Sequence, residues 1–291
     1  MFKSAKLNLI TAMLIFGTIG IFGRYISLPS SVIAAVRGIV GMLFLCLVVF
    51  IKKKPISKTD IKNNLLKLFL SGAAIGFNWV LLFEAYRYTT VATATLCYYL
   101  APIIALLASS VFFKEKMGLR KIICVITALV GMMGVSGFLP NGKIPQNEIA
   151  GVLFGVGAAV FYATVILINK KIKDISPYDK TIVQLGVAGV VIAVYSLFTV
   201  EKAELLFDLK TIILLLVVGV IHTGVTYLMY FAAIPEIPVH TSAILSYIDP
   251  VTALFISFVV LREKATVYSL IGAVLVLGST LLSEISFKKE K

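Results

Sequence analysis

Apolar residues run through this chain in stretches of about twenty, each closed by a short polar or proline-bearing segment. A stretch of that length crosses the hydrocarbon core of a bilayer as one α-helix. Ten such spans are predicted, at 6–26, 30–51, 64–87, 91–113, 118–138, 149–170, 178–200, 209–233, 239–261 and 266–285. Proline and glycine punctuate them. Lys52-Lys53-Lys54-Pro55 stops the second, Pro140-Asn141-Gly142 follows the fifth, Pro177 opens the seventh, and Pro235 and Pro238 bracket the turn before the ninth. The third to fifth spans, and the eighth to tenth, are joined by connections too short for anything but antiparallel neighbours. The pattern predicts an all-α membrane protein of ten transmembrane helices. The first 26 residues carry Lys3 and Lys6 before an apolar run, as a leader would. No small-residue cleavage site follows, so the segment is read as the first helix.

One passage occurs twice. Residues 91–116 (VATATLCYYLAPIIALLASSVFFKEK) align without a gap on residues 239–264 (VHTSAILSYIDPVTALFISFVVLREK). Val91/Val239, Thr93/Thr241, Tyr99/Tyr247, Pro102/Pro250, Ser109/Ser257, Glu115/Glu263 and Lys116/Lys264 are among the identical pairs. A shared apolar composition produces matched alanines and valines, not polar residues in register. The chain therefore reads as two homologous units, 3–140 and 148–287, of five helices each.

The net charge is +13, and 14% of residues are charged, against about 25% in a soluble globule. The cations gather between apolar runs. Cytoplasmic loops are enriched in Lys and Arg, which accounts for the excess without a nucleic-acid partner. With the N-terminus inside, the cytoplasmic group comprises Lys3, Lys6, six lysines of 52–67, Lys114, Lys116, Arg120, Lys121, Lys170, Lys171, Lys173, Lys180, Lys288, Lys289 and Lys291. The outer group is smaller: Arg24, Arg87, Lys143, Lys202, Lys210, Arg262 and Lys264. Both termini are expected in the cytoplasm. An odd number of helices per unit then turns the second unit upside down relative to the first. Inverted repeats of this kind are a mark of secondary transporters, with the substrate site near the midplane.

The pattern F-x-A-x-x-x-x-x-V-x-T (Phe83, Ala85, Val91, Thr93, and again Phe231, Ala233, Val239, Thr241) is followed by Pro102 or Pro250 and then by Glu115 or Glu263. With Arg37 in the second span, it resembles the EamA repeat of the drug/metabolite transporter superfamily, in two copies over nearly the whole chain. The resemblance implies a ten-helix carrier of amino acids, other metabolites, nucleotide sugars or drugs. It implies a central cavity lined mainly by the third, fourth, eighth and ninth helices, with the first and sixth. It supplies no substrate motif.

Charged groups inside a bilayer cost several kcal/mol, about 2.5–3.5 on insertion scales, and so require a reason. Asp249 sits mid-span beside Pro250, and its counterpart in the first unit is Ala101. The repeat itself therefore does not need this carboxyl. It is a candidate proton or cation site, or a staple between helices. His222 lies in the eighth span and belongs to the residue type that titrates nearest neutrality; it too is a coupling candidate or a hydrogen-bonded staple. Glu84 stands three residues before Arg87 and has that cation as a ready partner. Arg37 either neutralises Asp249, attracts an anionic substrate, or serves the architecture.

Aromatic and polar side chains form the second constellation. Trp79, Tyr98 and Tyr99 in the third and fourth spans have counterparts at or near the matched places in the eighth and ninth, Tyr227, Tyr230 and Tyr247, with Trp79 matched to Tyr227 and Tyr99 to Tyr247. Interfacial aromatics sit at span ends; these lie within spans, where a tyrosine hydroxyl needs a partner or a wet cavity. Asn78, Tyr162 and Ser246 join them as substrate-binding candidates, with Thr93, Thr95 and Gln184 behind. The pairs Gly72/Gly76 and Gly151/Gly155, and the series Gly131, Gly134 and Gly137, allow close helix approach. Glu115 and Glu263 precede the fifth and tenth helices, where a carboxylate would cap the positive helix end.

Cys46, Cys97 and Cys124 fit no metal-ligand spacing and read as packing residues. The chain has no phosphate-cradling glycine loop, no H-E-x-x-H and no nucleophile elbow. No cofactor, metal or enzymatic activity is expected. The expectation is a secondary active transporter of a small polar metabolite, an amino acid or similar, acting as an exporter or proton-coupled carrier in the cell membrane. The alternative is a lipid scramblase or channel-like facilitator. The partners would be the lipid bilayer and a small-molecule substrate, for a monomer or homodimer.

Overall fold

Proline, capping residues and the cost of an unpaired peptide group in hydrocarbon decide where these helices begin and break. The computed structural model describes residues 2–112, 118–135, 145–146, 148–201, 205, 207–233, 236–237 and 245–284, and among them there is no strand. The first apolar stretch forms α1 (Phe2–Gly17) and α2 (Ile19–Tyr25), broken at Thr18. α3 is Ser30–Ile51, α4 is the short Lys58–Asn63, and α5 is Leu65–Tyr88. The fourth stretch divides into α6 (Val91–Tyr98) and α7 (Ala101–Phe112), with α8 (Leu119–Val135) after it. α9 (Ile149–Asn169) and α10 (Pro177–Thr199) follow. The eighth stretch comprises α11 (Leu209–Leu216), a π-helical segment Val217–Val225 and α12 (Thr226–Ala233). α13 (Ile248–Phe255) continues into a second π segment, Ile256–Val260, and α14 is Val267–Glu284.

Local chemistry explains the boundaries. Ser57, Thr90, Ser176 and Asp208 each accept a backbone N–H three residues on, satisfying a donor that the first turn leaves open. Pro177 occupies the first turn of α10, where its missing N–H costs nothing. Pro102 and Pro250 sit in the same way in the first turns of α7 and α13, so both copies of the repeat break just before their proline.

Among the described residues, seven helices are long and apolar enough to cross a membrane: Ala5–Tyr25, Ser30–Ile51, Leu65–Tyr88, Val91–Ala108, Ile149–Asn169, Pro177–Thr199 and Leu209–Tyr230. The apolar helices Ile122–Val135, Ile248–Val260 and Val267–Leu282 are shorter. The fifth, ninth and tenth expected spans contain these shorter helices, and all three spans include residues outside the described set.

The densest packing crosses the middle of the chain. α5 lies along α9 and α10, α3 along α10 and the first π segment, α1 along α12 and α13, and α8 along α14. Glycines set the closest approaches. A Cβ on Gly38 would stand 2.7 Å from the Gly189 nitrogen. One on Gly72 would stand 2.8 Å from the Gln184 carbonyl oxygen, and one on Gly134 2.7 Å from that of Tyr268. Gly72, Gly76, Gly131, Gly134, Gly151 and Gly155 are thus packing residues; Gly137 lies outside the described residues. Cys97 and Cys124 are buried and Cys46 half-buried, and all three are free thiols.

Candidate functional site

A cavity of about 570 Å³ occupies the centre of the bundle, within the usual size range of small-molecule sites. α5 supplies Asn78, Trp79 and Tyr86; α6 and the turn after it supply Thr95, Tyr98 and Tyr99. α9 supplies Tyr162 and Asn169, α10 supplies Lys180, Thr181 and Gln184, and α12 supplies Tyr227 and Tyr230. Ser246, Tyr247 and Asp249 close the wall at the break before α13, and α1 contributes Met13, Phe16 and Gly17. All nine substrate-binding candidates named from the sequence line this one space, together with Arg37 and Asp249. His222 and Glu84 do not line it.

The break before α13 explains how a carboxyl reaches the cavity. Asp249 falls in the first turn of the helix, where open N–H groups favour negative charge. Tyr99, at the equivalent break in the first unit, donates its hydroxyl to Asp249 Oδ2 at 2.7 Å. Tyr98, Tyr99, Tyr162 and Tyr247 form a run of neighbouring rings. The centroid separations are 5.8 Å for Tyr98–Tyr99, 5.2 Å for Tyr98–Tyr162 and 6.3 Å for Tyr99–Tyr247.

Arg37 does not neutralise Asp249 directly, because the two groups do not come within ion-pair distance. Its guanidinium lies 4.2 Å from the centre of the Trp79 ring, and its Nε donates to Thr223 Oγ1 at 2.9 Å. The π segment makes this possible. Its wider turn lets the Thr223 hydroxyl donate to the Val218 carbonyl five residues back, at 3.0 Å. The oxygen lone pairs are then left for Arg37. Gly41 lets α3 approach, since a Cβ there would meet Thr223 Cγ2 at 2.5 Å.

His222 uses the same segment differently. Its Nε2 meets Thr18 Oγ1 at 2.8 Å, at the break between α1 and α2, and Phe22 packs edge-on against its ring. Thr18 donates its own hydroxyl to the Ile15 carbonyl at 2.7 Å, and His222 Nδ1 lies 3.4 Å from the Val217 carbonyl oxygen. Glu84 pairs with Arg87 at 3.2 Å. Asn78 donates to the Ala158 carbonyl at 2.6 Å, binding α5 to α9. Gln184 donates to Ser71 Oγ at 2.6 Å and Asn169 Oδ1 at 2.7 Å.

The cavity reaches Asn169, Lys180 and Thr181, at the end of the bundle that carries the basic 170–173 turn. The opposite end holds a polar clasp outside the cavity wall. Arg24 Nη2 donates to the Thr89 carbonyl at 2.7 Å and to Glu263 Oε1 at 2.6 Å. Glu263 accepts the Val91 N–H and a hydroxyl proton from Ser257. This corrects the expectation that Glu263 caps the helix that follows it. Its carboxylate caps α6, in the other unit, while Thr266 and Ser269 cap α14 reciprocally. Glu115 lies outside the described residues.

Sequence reasoning passed over Lys180, Asn169 and Thr181, because polar residues at span ends need no special explanation. The spacing of Lys180, Thr181 and Gln184 on one helical face was the available clue. Among the described residues, no three His, Cys, Asp or Glu side chains gather into a metal-ligand set.

An all-helical bundle with membrane-crossing helices around a polar-lined central cavity has the build of a multi-pass membrane transporter. The chain belongs to the EamA-like transporter family, whose sequence profile matches residues 3–137 and again 149–285. It is similar to the uncharacterized transporter YxxF of Bacillus subtilis, with 29% identity over 97% of this chain and 89% of that one. YoaV, an uncharacterized transporter of the same organism, is 24% identical over 91% of this chain and 90% of its own. An uncharacterized transporter of Archaeoglobus fulgidus is 22% identical over 94% of each. A crystallised protein shares the fold, with a TM-score of 0.65 at 17% identity, over 97% of this chain and 98% of that one.

Proposed function

We infer that the chain is a secondary carrier of a small polar metabolite, an amino acid or similar, exporting it or coupling its movement to protons by alternating access. The observation that carries this reading is the central cavity, which takes polar side chains from both copies of the repeat and holds a half-buried carboxyl and a buried guanidinium without pairing them. In this reading ten spans form two inverted five-helix units, 3–140 and 148–287, with both termini in the cytoplasm of the cell membrane.

The packing pattern supports the two-unit reading. Numbered as spans, the third lies on the sixth and the eighth on the first; the third on the seventh and the eighth on the second. Each contact has an image five spans on, as a two-fold relation between units requires. Five helices per unit make that relation an inversion. With the 170–173 turn in the cytoplasm, the cavity faces inward and the Arg24–Glu263 clasp closes the outer end. Asp249 is the coupling group best placed in the cavity. His222, held by Thr18, would couple the π segment to the first helix.

Purified protein in sealed vesicles tests the reading. Counterflow of a labelled amino acid, and its concentration after an imposed pH step, are expected. Absence of counterflow for amino acids, nucleosides, sugars and cationic amines would sink it. Ion-like conductance, or lipid flip-flop that persists in Asp249→Asn, would favour a channel or scramblase instead.

A further inference from the structure

We propose that Arg37 is the carboxylate-binding residue of the cavity, and that the cargo carries a carboxylate with an amine or hydroxyl at its other end. The inference rests on the carrier reading and names its substrate class.

Arg37 is 5% exposed. A guanidinium buried to that degree normally has an acid beside it, because an uncompensated charge out of water is strongly unfavourable. Among the described residues, no carboxylate comes within ion-pair distance. Among the described residues, the Nε–H bond to Thr223 is the only hydrogen bond the guanidinium makes. That bond and the Trp79 face fix the plane of the group. They leave both Nη groups as a fork beside the cavity, and such a fork matches the two oxygens of a carboxylate.

The remaining charged groups on the cavity wall are Asp249 and Lys180. Lys180, near the basic end, adds a second attraction for an entering anion. Asp249 keeps one oxygen after accepting from Tyr99, so it suits an ammonium or hydroxyl and repels a second negative charge. The arrangement favours a monocarboxylate over a phosphate ester or a dicarboxylate.

The test compares one amino acid with its own fragments. The common amino acids are screened by counterflow, and the strongest is set against its amide, its decarboxylated amine and phosphoethanolamine. Wild-type protein is expected to prefer the free acid over the amide by about ten- to a hundredfold, the value of a charge-assisted hydrogen-bond pair. Arg37→Gln should abolish that preference, and Arg37→Lys should restore part of it. Trp79 is the only tryptophan in the chain, so its fluorescence reports ligand binding beside Arg37 in unaltered protein, without any variant having to fold.

Equal handling of acid and amide by wild type would overturn the inference and leave the carrier reading standing. So would better displacement by phosphoethanolamine, or a preference that survives in folded Arg37→Gln. A carboxylate-dependent Trp79 signal without counterflow would uphold the inference and sink the carrier reading.

Discussion

Arg24 and Glu263 meet at 2.6 Å although 239 positions separate them in the chain. The pair joins the end of α2 to the segment after the second π-helix, and Glu263 also caps α6 through the Val91 N–H. Three elements from both copies of the repeat thus close on one carboxylate.

Removing that carboxylate should loosen the whole corner. Glu263→Ala leaves a backbone donor, a hydroxyl and a cation without their acceptor, a loss of about 1–3 kcal/mol. Arg24 is partly exposed, so Arg24→Ala should cost less, within about 1 kcal/mol for a solvent-screened pair. Melting of the two variants and of the double substitution measures the coupling. In the proposed orientation, a cysteine introduced at Thr95 should also label faster from outside when Glu263 is absent. Unchanged melting and labelling would show the clasp to be idle.

The Tyr99–Asp249 hydrogen bond separates structure from coupling. Asp249→Asn retains an oxygen to accept from Tyr99, so the protein should fold with little loss of stability. If Asp249 carries the coupling proton, that variant loses pH-driven accumulation while solute exchange continues. Tyr99→Phe removes only the donor and should cost about 0.5–1.5 kcal/mol while retaining the pH response. Vesicle uptake under a pH step, compared with exchange at equal pH, distinguishes them. Full pH-driven uptake by Asp249→Asn would remove the carboxyl from the coupling step.

These two sites differ in how legible they were. Asp249, Arg37 and the mid-span tyrosines could be picked from the sequence because a polar group in mid-span is expensive and demands a reason. All of them line one cavity. The breaks before Pro102 and Pro250 were legible too, since proline removes a donor and fits only a first turn. Glu263 was misread because local sequence offers only its own helix, whereas its partners come from α2 and α6. The π segments were invisible, since the apolar run is the same whether a carbonyl bonds four or five residues on. The expected tenth span, 266–285, corresponds closely to α14, and the fifth, 118–138, begins with α8 and extends past the described residues.

His222 and Thr18 should behave as one unit. The imidazole Nε2 meets the Thr18 hydroxyl, which donates its hydrogen bond to the Ile15 carbonyl. Thr18→Val and His222→Phe should each lose about 1–3 kcal/mol, the penalty for leaving the other polar group buried and unsatisfied. The double substitution should cost less than the sum, because neither orphan then remains. Additive losses would mean that the pair contributes nothing as a pair. If His222 couples α1 to the π segment, Thr18→Val should also slow transport beyond its effect on stability.

Glycine substitutions separate helix packing from helix propensity. Gly38 on α3 faces Gly189 on α10, and a Cβ there would sit 2.7 Å from the Gly189 nitrogen, 2.8 Å from its Cα and 3.0 Å from the Leu185 carbonyl oxygen. All three are backbone atoms, so no side chain can swing aside and the helices themselves must part. Arg37 is the next residue on α3, and parting the helices also shifts its guanidinium against Trp79 and Thr223. Gly38→Ala is therefore expected to cost about 1–3 kcal/mol, as overpacking does, and to alter Trp79 fluorescence in the absence of any ligand. Gly278 on α14 has nothing within 4 Å of its Cβ position. There the same substitution gains helix propensity, up to about 1 kcal/mol, and should leave Trp79 unchanged. Parallel melting and fluorescence of the two variants decide the matter. Equal melting temperatures would mean that the α3–α10 crossing tolerates a methyl group, and that small residues are not what holds Arg37 in place.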